Sequence, residues 1–189
     1  MARVQGLPPL VARRFRTGRP CLDLVHTGGD GEHAVWEILH QPADVARYLG
    51  VIADVDGIAV AGGDMAAVRE FRRAVTGAAF GAVAGRSPTA GERAVINAAA
   101  ARPPVVPVLD AGGGVSTADP VSVSQVLSTL ARDAIDLFGG PLTERIRVCA
   151  ADDCGMLFVD QSRPGTRRWC SMQRCGTRAK VRAHRQRRD

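Results

Sequence analysis

The sequence has little aromatic character and almost no lysine. Aromatic residues make up 4% of 189 residues, and of 25 basic residues only Lys180 is not arginine. Proteins that read single-stranded nucleic acid stack bases on several aromatic rings, so this composition argues against that mode of binding. No run of 18 apolar residues occurs, and no transmembrane helix is expected. Pro8, Pro9, Arg13 and Arg14 stand where a signal peptide would need an apolar core. Together these absences point to a cytoplasmic protein with reduced thiols and no membrane partner. The chain has no HExxH, nucleophile elbow or P-loop, and no internal repeat. Gly28, Gly29 and Gly31 lack the strand–turn–helix context of a nucleotide fingerprint. Asp23, Asp30 and Glu32 near His26 are the one cluster from which an active site could be built, and scattered loop acids are usually solvated. An enzyme is therefore the least supported reading.

What the chain does contain is unevenly distributed. Residues 163–189 hold ten Lys or Arg and one acid, whereas residues 1–162 hold fifteen and eighteen. The basic charge thus belongs to the last part of the chain. Such asymmetry suits a polyanionic partner, most often nucleic acid. Arginine favours bidentate contacts to phosphate and guanine, although a GC-rich genome gives the same bias.

The same region holds four of the five cysteines, Cys149, Cys154, Cys170 and Cys175. Each pair encloses four residues, and fifteen separate the pairs. Zinc takes four thiolates in a closed tetrahedron, and two cysteine pairs across a turn-rich spacer supply them. Two disulfides or four unrelated thiols are the alternatives, and the reducing compartment favours zinc. A closed four-cysteine site has no open position, so the metal is structural. The segment from Glu144 is short enough for a hydrophobic core alone to be marginal, which makes folding depend on the metal. Cys21 is expected to be a small buried residue.

Ahead of this module the pattern is mainly helical. Residues 1–20 read as an extended lead-in. Cys21-Leu22-Asp23-Leu24-Val25-His26-Thr27 could open a helix or form a short strand. His26, His33 and His40 recur every seven residues, but the glycine loop interrupts any helix between the first two, so ordinary histidines are expected there and not a metal triad. Pro42 to Leu49 reads as a helix. A longer one runs from a capping Asp64 to about Ala84, with Met65, Val68, Phe71, Ala74 or Val75, and Ala79 as its apolar stripe and Arg69, Arg72 and Arg73 on a solvated face. Thr89 and Glu92 form a capping box for a helix to about Ala101. Residues 105–109 and 115–118 read as a hairpin around a glycine turn. Asp119-Pro120 reads as the cap of a helix carrying Val123, Val126, Leu127, Leu130, Ala134 and Leu137 to Gly139. The fold class is α+β: a mainly helical domain over residues 1–140 with a β-hairpin, then a small module resembling a treble clef over residues 144–189.

Within that module, Arg145 to Cys149 and Gly155 to Val159 read as strands. Asp152 and Asp153 are turn formers between them, and Asp160 is a partner for Arg167 or Arg168. Trp169 and Met172 are expected to shield the metal. From about Arg174 the chain is expected to be helical. Arg174, Arg178, Arg182 and Arg185 then share one face, surrounded by Arg167, Arg168, Lys180, Arg187 and Arg188.

Cys149-x4-Cys154-Gly-x-Leu-Phe-x-Asp, then Arg167-Arg168-Trp169-Cys170-Ser171-Met172, then Cys175-Gly176-Thr177-Arg178-Ala179-Lys180 resembles the bacterial CGNR zinc finger. The motif Cys21 to Thr27 resembles the ABATE domain that precedes such fingers. The resemblance implies a stress-induced transcriptional regulator whose finger binds DNA. Thr177 stands where the finger's name places Asn, and it cannot make the bidentate amide contact to adenine. His26 likewise stands where Asn is expected. The expected function is a DNA-binding regulator, with Arg167, Arg168, Arg174, Thr177, Arg178, Lys180, Arg182 and Arg185 at the nucleic acid. The N-terminal domain would sense a small molecule or form a homodimer. The alternatives are an RNA-binding protein, or an interaction module in which zinc only holds the fold.

Overall fold

The computed structural model describes residues 7–186, so Arg187 and Arg188 lie outside the described residues. The expected lead-in carries a short helix, α1 (Pro9–Ala12). The motif from Cys21 resolves as helical: α2 (Pro20–Val25) begins with proline and has Asp23 in its first turn. It buries Cys21, Leu22, Leu24 and Val25. Asp23 ties the lead-in down, accepting from Thr17 N at 3.0 Å and Thr17 Oγ1 at 2.7 Å.

α3 (Pro42–Ala53) starts on a reciprocal capping box between Gln41 and Asp44 and runs past Leu49 because Ile52 continues its buried face. The strand β1 (Ile58–Ala59) leads to α4 (Asp64–Val83), which buries Val68, Phe71, Val75 and Ala79 as its spacing requires. Asp64 is its first residue, with Gly63 at the cap position. Arg72 departs from expectation. It is 3% exposed and lies inside the fold, because Glu37 and Thr27 from the preceding loop supply its partners. α5 (Ala90–Ala100) begins at the expected box: Thr89 Oγ1 accepts from Glu92 N and Glu92 Oε2 accepts from Thr89 N. The hairpin follows as β2 (Pro107–Leu109) against β3 (Val115–Thr117), with Leu109 opposite Val115.

The expected cap at Asp119-Pro120 is corrected. Residues 121–122 form β4 (Val121–Ser122), parallel to β1, and this pairing holds the chain extended there. The helix α6 (Val123–Gly139) instead starts from Ser122, whose hydroxyl accepts from Gln125 N at 3.2 Å. α6 packs on α2, α3, α4 and α5. Its buried Val126, Leu130, Ala134 and Leu137 form the centre of the core. Truncating a fully buried leucine such as Leu130 to alanine costs about 2–5 kcal/mol.

The C-terminal strands, β5 (Ile146–Val148) and β6 (Leu157–Val159), form an antiparallel hairpin. β6 is buried along its whole length. Leu157 and Val159 enter the main core, while Phe158 joins a second cluster built around the cysteines. A period-two strand thus joins the two hydrophobic clusters. One π-helical turn, Met172–Gly176, then continues into α7 (Thr177–Arg185). No described helix is long and apolar enough to cross a membrane.

Candidate metal centre

The turn between β5 and β6 presents Cys149 and Cys154. The loop after β6 and the π-helical turn present Cys170 and Cys175. The four Sγ atoms lie within 4.8 Å of one another. Cys154 Sγ is 3.6 Å from Cys170 Sγ, which is 3.7 Å from Cys175 Sγ. A tetrahedron with zinc–sulfur bonds of about 2.3 Å has edges of about 3.8 Å. A disulfide needs about 2.05 Å, and all four thiols are free. The spacing therefore fits a four-sulfur zinc site, and no disulfide joins these cysteines.

The electrostatics agree. Cys170 N donates to Cys149 Sγ at 3.4 Å, a bond that favours thiolate. A hydrogen bond from the Cys170 thiol pulls Cys154 down to about 5, while the Cys154 sulfur and burial push Cys170 up. Four sulfurs this close compete for protons, and a divalent cation among them lets all four ionise. Met156, Phe158 and Trp169 cover the sulfurs, whereas Met172 is 48% exposed and covers them less than expected. Gly176 lies close under this cover: a Cβ there would stand 3.0 Å from Met172 Sδ, the flexible end of an exposed side chain.

A model of the ABATE family, described as "putative stress-induced transcription regulator", matches residues 18–141. The chain belongs to the ABATE family. A CGNR zinc finger model matches residues 145–188. No curated protein matches the chain. These families are regulator and zinc-finger types, and the clustered cysteines of the CGNR finger fit structural zinc.

The motif that carries the ABATE resemblance sits where the ABATE domain and the CGNR finger meet. His26 is fully buried, and its Nε2 lies 3.1 Å from Leu157 N in β6. Asp23 and Asp30 do not join it in a site: Asp23 serves Thr17, and Asp30 pairs with Arg73 at 2.8 Å.

The eight candidate nucleic-acid residues fall into distinct groups. Arg167 is occupied inside the CGNR finger: Nε donates to Trp169 O at 2.8 Å, Nη2 donates to Cys170 O, and its guanidinium lies 4.8 Å from the Phe158 ring centroid. Asp160 accepts from Arg167 N at 2.8 Å, not from a guanidinium. Arg178 pairs with Asp153 at 2.5 Å, and Arg182 pairs with Asp152. Arg178 Nη2 also reaches Cys175 Sγ at 3.6 Å. The turn acids are thus counter-ions for α7 as well as turn formers. Thr177 Oγ1 donates to Met172 O at 3.1 Å and supports the π-helical turn. Arg168 lies over Trp169, 5.3 Å from its ring centroid, and is exposed, as are Lys180 and Arg185. Arg174 is half-buried.

The reading from sequence missed the Arg72–Glu37 pair. The available signal was the spacing of Arg69, Arg72 and Arg73, which places three cations on adjoining positions of one helix.

Proposed function

We propose that the protein is a cytoplasmic, DNA-binding transcriptional regulator. In this reading residues 144–189 form the DNA-binding module and residues 1–140 form the sensing or dimerisation domain. The observation that carries it is the basic surface of α7 beside a closed four-sulfur site. Arg168, Arg174, Lys180 and Arg185 supply phosphate contacts there. Arg178 and Arg182 join them by exchanging Asp153 and Asp152 for phosphate. The Thr177 hydroxyl donates to the Met172 carbonyl, so sequence readout falls to the arginines.

Trp169 packs against the cysteine cluster and offers little stacking surface, which favours a duplex over single-stranded RNA. A second reading draws support from the occupied guanidiniums of Arg167, Arg178 and Arg182: the finger is an interaction module and zinc only holds its fold. Homodimerisation has a candidate surface in Leu109 and Val115, opposed across the β2–β3 hairpin and 78% and 80% exposed.

Fluorescence anisotropy with a labelled duplex and a structured RNA, titrated across salt, tests the proposal. With about five phosphates contacted, log affinity for duplex falls against log salt with a slope of about −4 to −5. Absence of salt-dependent binding to any duplex overturns the DNA-binding reading.

A further inference from the structure

A cleft of about 230 Å³ opens between the glycine loop after α2 and one side of α4. Arg69, Arg72, Arg73 and Thr76 line it from the helix, and Asp30 and His33 line it from the loop side. Offsets of three and four bring these α4 residues to one side of the helix. Among the described residues, three guanidiniums face one carboxylate in this lining. Counting Glu37, which stands against Arg72, still leaves one positive charge in excess among them.

The floor of the cleft is fixed. Arg72 donates to Glu37 Oε2 at 2.6 Å, to Glu37 Oε1 at 3.1 Å and to Thr27 Oγ1 at 3.0 Å. Gly28 adopts φ +140, and a Cβ there would lie 2.6 Å from Glu37 Cα, so the loop closes tightly against this pair. His33 is held by rings, 5.2 Å from Trp36 and 5.4 Å from Phe80 between centroids.

The rim differs from the floor. Arg73 and Asp30 pair at 2.8 Å with side chains 65% and 76% exposed, and an exposed pair of this kind exchanges its counter-ion readily. Arg69 donates to Leu39 O at 3.2 Å, and among the described residues it forms no ion pair. Two exposed guanidinium forks thus stand over a fixed third one. Guanidinium is the side-chain group best matched to two oxygens of a carboxylate or phosphate.

We propose that this cleft binds the oxyanion group, carboxylate or phosphate, of a compact ligand. Arg69 and Arg73 donate to its oxygens, and Arg72 supplies fixed positive charge beneath. The volume lies below the roughly 300–1,000 Å³ of pockets for drug-sized ligands, which limits the ligand to metabolite size. The site gives chemical content to the sensing role proposed for the N-terminal domain and rests on that role for its meaning, but not on what the finger binds.

Backbone amide spectra of the zinc-loaded full chain test it, with inorganic phosphate in one titration and acetate in another, at ionic strength held constant with sodium chloride. Saturable shifts at Gly29, Asp30, His33 and Thr76 are expected, and the stronger arm identifies the oxyanion. The Arg69→Gln/Arg73→Gln double variant should weaken the response at least about tenfold, with unchanged zinc content and unchanged duplex binding. Shifts confined to the finger, or equal titrations of the parent and the double variant, overturn the proposal. Loss of duplex binding alone would bear on the finger and leave this site standing.

Discussion

His26 Nε2 lies 3.1 Å from both the backbone nitrogen and the backbone oxygen of Leu157. This contact joins the end of α2 to β6 across 131 residues of sequence. One ring nitrogen can serve only one of the two groups, and among the described residues Nδ1 has no hydrogen-bond partner.

Burial pushes the His26 imidazole down to about 4. In the unfolded chain its value is about 6.5, so between these limits the unfolded state holds more protons. The contribution of His26 to stability is complete above about pH 6.5 and declines as pH falls toward 4. The linked free energy is on the order of 3 kcal/mol. His26→Asn should remove this component, and denaturant midpoints of both proteins between pH 7 and 4.5 measure it. Parallel pH profiles would show that His26 is not the titrating group.

Arg72 and Glu37 form the second tertiary clasp. Against the upward push of burial, hydrogen bonds from Arg72 hold the Glu37 carboxyl below its usual range. Arg72→Leu leaves that carboxylate unpaired and should cost about 2–4 kcal/mol. Glu37→Leu added to it should recover part of the loss, because the stranded charge is gone. Urea unfolding of the singles and the double measures the coupling.

Local signals made several features legible. Thr89 and Glu92 announced the start of α5, and the apolar spacing from Val123 to Leu137 announced α6. The cysteine spacing revealed the metal site because few chemistries use four such thiols. The misreadings share a cause in distant partners. Asp119-Pro120 has local cap chemistry, but pairing of Val121 with Ile58 overrides it. Arg72 lies off the apolar stripe, yet Glu37, in a loop 35 residues away, brings it inside. Asp152 and Asp153 were legible as turn residues, but their pairing with α7 depends on how the finger folds over the metal.

Those two acids define a prediction about binding. If duplex phosphate replaces them, Asp152→Asn/Asp153→Asn should bind duplex about three- to tenfold more tightly at low salt. The salt slope should steepen by about 1–2. Salt-dependent anisotropy measures both, and weaker binding by the variant would mean that the acids position the arginines for contact.

Removing the metal should act on the finger first. Hydrogen exchange after chelation should show lost protection in β5, β6 and α7, while α4, α5 and α6 keep theirs. Leu157 and Val159 belong to the main core, so its thermal midpoint should also fall. Re-adding zinc should restore both. Unchanged protection in β6 after chelation would contradict a folding role for the metal.

The finger's fold depends on four thiolates that hold one zinc ion. Native mass spectrometry of protein purified under reducing conditions tests it most directly. The expected mass carries one zinc per chain, bound with loss of thiol protons and absent from Cys170→Ser. A metal-free mass, or a mass lowered by two disulfides, would contradict it.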